Sequence, residues 1–131
     1  MAAIKSIKLA LTGLILVASS IAGLVYSRAP QVTPDHTATI SIAELPAQGA
    51  QMVAQITRGG PFPHEKDGAV FGNRERLLPI KSRGYYREYT VATPGLEHRG
   101  VRRIVCGGKP RVPEACYYSA DHYASFRMIV P

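Results

Sequence analysis

A few side chains in this 131-residue chain could do chemistry, and each also has a duller explanation. Glu88 stands inside Tyr85–Thr93, an aromatic and β-branched run where a mid-strand carboxylate has poor intrinsic propensity. It is a functional base or, as is commoner, part of a solvated outer face. Arg103 is flanked at two-residue spacing by Val101 and Val105, with Arg102, Ile104 and Cys106 on the opposite side. Two adjacent arginines bind a phosphate or, more often, line a solvated edge. His36 lies in linker sequence, and His64 and His98 fall in loops. His122 differs, standing in Ala120-Asp121-His122-Tyr123 between two strand-like segments. A turn at a sheet edge is a common place for a functional side chain, although most loop histidines are merely exposed. A Gly-rich phosphate loop, a Cys/His spacing for zinc and a Gly-x-Ser-x-Gly elbow are all missing. Asp67, Asp121 and the histidines have no ligand spacing, so neither metal nor cofactor is expected.

These residues need elements to hold them. Leu45, Met52, Val53 and Ile56 share one helical face, and Gly59-Gly60-Pro61 ends that helix. Gly60 to Asn73 is rich in Gly and Pro and reads as loop. From Tyr85 onward the pattern turns to β, with strands expected over Tyr85–Thr93, Val101–Cys106, Cys116–Ser119 and Tyr123–Val130. Alternation places Tyr86, Glu88 and Thr90 on one face of the first strand and Tyr85, Arg87, Tyr89 and Val91 on the other. Helix first and then consecutive short strands predicts an α+β fold, one N-terminal helix packed on a short antiparallel β-sheet. The gaps between strands are too short for parallel crossovers.

Composition narrows the field further. With 46% apolar and 19% charged residues, the chain is neither disordered nor low-complexity. Its net charge of +7 favours an anionic partner such as nucleic acid or a lipid surface. Lys5 and Lys8 precede an uncharged run from Leu9 to Ser27, closed by Arg28. Residues 1–28 therefore read as a cleaved signal peptide, favoured over an uncleaved signal anchor, with cleavage after Ser20 or Ala22. Residues 29–36 read as a linker and residues 37–131 as the folded domain. The domain is expected outside the cytoplasm, and on the membrane only if the leader is kept. There a disulfide between Cys106 and Cys116 is favoured over two free thiols, since they enclose nine residues beside predicted strands.

Several segments carry a resemblance when taken in order. They are Gly60-Pro61-Phe62-Pro63, Asp67-Gly68, Phe71-Gly72-Asn73-Arg74-Glu75, Leu78-Pro79, Gly84-Tyr85-Tyr86-Arg87-Glu88-Tyr89-Thr90-Val91, Thr93-Pro94-Gly95, Arg99-Gly100-Val101-Arg102-Arg103-Ile104 and Asp121-His122-Tyr123. Together they resemble the small secreted guanyl-specific ribonucleases of bacteria, the barnase and ribonuclease Sa group, over roughly Thr37 to Ile129. The resemblance implies the microbial ribonuclease fold and assigns roles residue by residue. Glu88 matches the catalytic carboxylate and His122 the catalytic histidine. Arg99 and Arg103 match the phosphate-binding arginines, and Tyr123 an active-site tyrosine near the phosphate. Phe71, Gly72, Asn73, Arg74 and Glu75 match the guanine-recognition loop.

The reaction so implied is metal-independent cleavage of single-stranded RNA on the 3′ side of guanosine. The 2′-OH attacks phosphorus to give a 2′,3′-cyclic phosphate, which water then opens. The residue types suit it, because a carboxylate and an imidazole can serve as base and acid near neutral pH. Guanidinium forks can meet charge growing on phosphoryl oxygens. Guanine's N1–H and N2–H₂ donors suit the acceptor-only Glu75. Three departures stand out: Gly72 where a bulkier polar residue is usual, Ser41 at a half-cystine position, and Cys116 as an additional cysteine. The partner expected is single-stranded RNA, with an intracellular barstar-like inhibitor as a second candidate, and the domain is expected to be a monomer. Rival readings are a catalytically silent basic protein that binds RNA or another anion, and a membrane-anchored ribonuclease toxin.

Overall fold

The structure, a computed structural model, describes residues 38–131. The leader expected over residues 1–28 and the linker over 29–36 lie outside the described residues. The helix α1 runs Ala47–Arg58. Leu45, Met52 and Ile56 are buried as their spacing predicts, and Val53 packs at the edge of the same cluster. Gly59 ends α1 with φ 82°, a left-handed conformation that side chains with a Cβ resist. Its N–H donates to Ile56 O (3.1 Å), and Gly60 N–H reaches back to Gln55 O (3.0 Å).

Five strands follow α1 or flank it: β1 Thr39–Ser41, β2 Tyr86–Thr90, β3 Arg103–Lys109, β4 Val112–Ser119 and β5 Arg127–Val130. They form one sheet in the order β1-β5-β4-β3-β2. The β2–β3, β3–β4 and β4–β5 pairings are antiparallel, as expected. The three-residue β1 adds a parallel edge against β5, so the sheet is mixed. A segment this short, Thr-Ile-Ser before a helix, carries too little alternation to be read as a strand.

Strand limits shift in two informative places. Gly107 and Gly108 belong to β3 and do not open a loop. A register shift between them and φ 97° at Gly108 mark a β-bulge, which glycine accommodates. Tyr123 sits in a turn outside β5, whose first residue is Arg127. The 68–71 segment, expected as plain loop, lies along the free edge of β2. Gly68 N–H donates to Glu88 O (2.8 Å), Glu88 N–H to Ala69 O (2.9 Å) and Phe71 N–H to Tyr86 O (2.9 Å).

The sheet has two occupied faces. Tyr89, Val91, Ile104, Cys106 and Tyr118 face α1 and join Met52 and Ile56 in the main core. Tyr86, Val105 and Tyr117 face the other way and pack with Leu78, while Phe71, Tyr123 and Phe126 lean on them. Glu88 shares a strand face with Tyr86 and Thr90, so it points away from the helix and toward this second cluster. The disulfide Cys106–Cys116 forms as expected. The two residues are directly opposed across β3 and β4, with Cα atoms 4.1 Å apart. Both cysteines lie within the hairpin strands, not at the ends of a long loop.

Candidate active site

Beside the second cluster lies a cleft of about 370 Å³. Its walls contain all five residues of the Phe71–Glu75 segment together with Glu88, His122 and Tyr123. They come from three parts of the fold: a loop, a strand and a turn. Glu88 projects from the middle of β2. The 68–71 segment, bonded to the β2 backbone at Glu88 itself, brings Phe71 alongside it. The Phe71 ring stacks on Tyr123 with centroids 4.9 Å apart.

Beyond Phe71 the loop is closed by Asn73. Its φ is 48°, and its side chain bridges the loop by donating to Leu78 O (3.0 Å) and accepting from Leu78 N–H (3.1 Å). An Asx side chain replaces strand pairing here and tolerates the left-handed backbone. Asn73 therefore shapes the loop through its amide, while Arg74 and Glu75 are exposed.

Glu88 is held on both carboxylate oxygens. Arg99 Nη2 donates to Oε1 (3.0 Å), and the Tyr123 hydroxyl donates to Oε2 (2.7 Å). The side chain is only 14% exposed, so the solvated-face reading does not apply. Arg99 is itself oriented by Thr90, whose Oγ1 accepts from Arg99 Nε (2.9 Å). Burial pushes the Tyr123 hydroxyl up to about 12, with its bond to the Glu88 carboxylate acting in the same direction and Arg103 opposing both. Tyr123 thus stays a donor through neutral pH.

Arg103 is the residue whose surroundings depart most from the solvated edge that paired arginines suggest. It is 3% exposed. Its Nη1 donates to Arg102 O (2.8 Å), and its guanidinium carbon lies 5.9 Å from the Tyr123 ring centre. Nε is buried with no partner. Among the described residues the one salt bridge is Arg99–Glu88, so Arg103 has no carboxylate. A buried cation in that state is costly unless an anion completes it.

His122 and Tyr123 occupy consecutive left-handed positions, φ 54° and 71°. Such backbone costs of order 1 kcal/mol or more per non-glycine residue and needs support. Asp121 supplies it, accepting from Ser119 Oγ (2.9 Å), Ser125 N–H (3.0 Å) and Ser125 Oγ (2.6 Å). Ser119 Oγ accepts from Tyr123 N–H (2.9 Å), and His122 N–H donates to Val101 O (3.0 Å). Partial burial works against the Asp121 charge, but these bonds outweigh it and hold the carboxyl below its ordinary value.

The structure therefore brings Phe71 to Glu75, Glu88, His122 and Tyr123 to one cleft. Arg99 and Arg103 do not line that cleft; Arg99 reaches it through its bond to Glu88, and Arg103 through the Tyr123 ring. Sequence reasoning missed Val70, Leu77 and Phe126, which also line it. It also missed the supporting roles of Thr90, Ser119 and Asp121. Thr90 was within reach, two residues from Glu88 on the same strand face. Among the described residues no group of three or more His, Cys, Asp or Glu side chains could hold a metal ion.

A profile of the ribonuclease family matches residues 28–130. Guanyl-specific ribonuclease Sa3 of Kitasatospora aureofaciens is 51% identical over 90 residues, 69% of this chain; the aligned part spans 62% of that protein's length. Guanyl-specific ribonuclease Sa of the same organism is 45% identical over 95 residues, covering 72% of this chain and 96% of that protein. A solved structure of ribonuclease Sa2 with mononucleotides superposes with a TM-score of 0.67 at 47% identity, over 72% of this chain and 94% of that one. Ribonuclease Sa2 has also been solved with guanosine-2′-cyclophosphate, at TM-score 0.65 and the same identity, over 72% of this chain and 96% of that one. With the cleft, the strand order and the match all spanning the same domain, this chain belongs to the ribonuclease family, in the group of small microbial guanyl-specific enzymes.

Proposed function

We propose that the protein is a guanyl-preferring endoribonuclease that cleaves single-stranded RNA 3′ of guanosine. The observation that carries this reading is the Glu88 carboxylate, fixed between Arg99 and Tyr123 in the cleft that also holds His122, with the buried Arg103, its Nε without a partner, beside the Tyr123 ring. Guanine lies against Phe71, and the Glu75 carboxylate accepts from its N1–H and N2–H₂. Adenine lacks a donor at N1, so the same carboxylate rejects it. Glu88 takes the proton of the 2′-OH as that oxygen bonds to phosphorus. His122, exposed at the mouth of the cleft, delivers a proton to the departing 5′-oxygen. The 2′,3′-cyclic phosphate left on guanosine is then opened by water, with His122 as base and Glu88 as acid.

Arg99 and Arg103 meet the charge that grows on the non-bridging oxygens. In the free protein Arg99 is bonded to Glu88, and a bound phosphate competes for its fork. Tyr123 fixes one carboxylate oxygen and its ring carries Phe71, coupling the base site to the reacting centre. DNA lacks the nucleophile and should inhibit at best. The solved complexes of Sa2 with guanosine-2′-cyclophosphate support the same product chemistry here. The basic, apolar leader supports action outside the cytoplasm. The deciding experiment is product analysis on a defined RNA in excess EDTA. A 2′,3′-cyclic guanosine terminus is expected, and products ending evenly in all four bases, or no cleavage, would overturn the proposal.

A further inference from the structure

On the far side of the recognition loop lies a second concavity, wider than the first and of about 620 Å³. The 70–74 segment forms a wall of both. The other wall of this groove comes from Lys81 to Gly84, where Tyr85 N–H closes a reverse turn onto Ser82 O (3.1 Å). Arg74, Lys81 and Arg83 line it with no acidic residue in its walls, and among the described residues none of the three has a carboxylate partner. Lys81 leans over the Tyr85 ring at 5.3 Å, which fixes its stem beside the groove. Between the two concavities stands Gly72. A Cβ placed there would meet only the Arg74 side chain, at 3.6 Å, so the space above the glycine is otherwise open. At Gly72 the divide between cleft and groove is therefore backbone.

We infer that this groove binds the RNA phosphates on the 5′ side of the recognised guanosine, through Lys81 and Arg83. The inference rests on the ribonuclease reading above and extends its substrate from one nucleotide to a longer strand. Direction follows from placement. The 3′-phosphate of the guanosine sits with Arg99 and Arg103, while the groove lies across the recognition loop from them. A strand that reaches the groove without passing the scissile phosphate does so from its 5′ end. Unpaired cations in a concavity with no acid attract a phosphodiester and release counterions as it binds.

The test compares GpU, which has no phosphate 5′ of guanosine, with ApApGpU, which has two. At low salt the wild-type protein should favour ApApGpU in kcat/KM by roughly tenfold, the size of one charge-assisted hydrogen bond. Lys81→Gln/Arg83→Gln, at two exposed positions, should abolish that preference and leave GpU cleavage unchanged. The salt slope of binding should also fall by roughly 0.7 for each phosphate that the variant no longer neutralises. A double variant that keeps the wild-type ratio would overturn the inference, as would one that loses a preference for GpUpU instead. Binding of the same tetranucleotide with 2′-deoxyguanosine, which cannot be cut, is titrated in parallel. It reads the groove even if the protein fails to cleave GpU, an outcome that would count against the catalytic reading alone. Equal affinity of wild type and double variant for that uncut strand would equally refute the groove.

Discussion

Arg103→Met separates a phosphate-binding cation from a structural one. Arg103 is 3% exposed, carries a partnerless Nε, and has as its neutralising contacts the carbonyl oxygens of Arg102 (2.8 Å) and Arg99 (3.4 Å). Removing a guanidinium from water costs several kcal/mol even after relaxation. Bonds from a charged donor return about 1.5–3 kcal/mol each, and the 3.4 Å contact is at the weak end. Methionine fills a similar linear volume without the charge. The missing bonds and the relieved desolvation oppose each other, so folding stability should move by less than about 2 kcal/mol in either direction. Catalysis has no such offset. Loss of one preorganised donor to transition-state charge is worth about 2.7–4 kcal/mol, so kcat/KM should fall by roughly 10²–10³. Inorganic phosphate gives an assay independent of turnover. At about 100 times its Kd it should add about 2.7 kcal/mol to the wild-type protein, visible as a higher Tm, and should raise the methionine variant, which keeps only Arg99, by much less at the same concentration. Arg103→Lys keeps the charge but not the fork, and should retain part of the phosphate effect. A methionine variant that gains as much Tm from phosphate as the wild type would refute the reasoning. So would one that loses activity only in proportion to its lost fold.

Glu88→Gln and His122→Ala should each lower turnover by roughly 10²–10⁴ with the fold intact, and each should remove one limb of a bell-shaped profile of kcat/KM against pH. A profile flat from pH 4 to 9 in the wild type would count against the pair. Glu75→Ala should weaken guanine binding by about 1–3 kcal/mol and barely affect substrates with another base; an unchanged guanine-to-adenine ratio means that the base is read elsewhere. The disulfide closes a sequence separation of 10, which by chain entropy is worth about 2.7 kcal/mol, so reduction should lower Tm by roughly 10–20 °C and leave an active enzyme. Differential scanning calorimetry with and without reductant measures it, and an unchanged Tm would reject the chain-entropy argument. Asp121 is held below the ordinary carboxyl value near 3.8, so its contribution is full above that pH and is lost as pH falls through the folded value. Asp121→Asn should therefore lower Tm at pH 7 and converge on the wild type in strong acid; a pH-independent gap would remove the charge from the explanation.

What could be read from the chain without its structure divides along physical lines. The alternation of Tyr86, Glu88 and Thr90 against Tyr89 and Val91 groups the carboxylate with Tyr86 and Thr90 on one strand face; only the packed structure shows that this face turns away from the helix. The α1 face and its glycine stop were equally plain, because a 3.6-residue period and a left-handed cap are local properties. The end of the strand expected to stop at Cys106 was not, since it runs on through Gly107 and Gly108, and a bulge and a loop ask for the same residue. The three-residue β1 exists only because β5 is there to pair with it, and no local pattern carries that information.

The environment of Arg103 shows most clearly where local pattern stops. In sequence it is one of two adjacent arginines between apolar residues, a pattern that usually means a wet edge. Which of the two is buried depends on strand register: β3 pairs Arg103 with Thr90 on one side and Ser119 on the other. Those partners are 1% exposed, and they are the same two residues that orient Arg99 and hold the Tyr123 backbone. One row across three strands thus carries a cation, the hydroxyl that aims a second cation, and the hydroxyl that anchors the His122–Tyr123 turn. A polar row through a sheet interior conflicts with packing by hydrophobicity alone, and such conflicts concentrate where a protein binds something charged. The row is a property of register, and register is set by the whole sheet, so the site becomes visible only when three strands are read together.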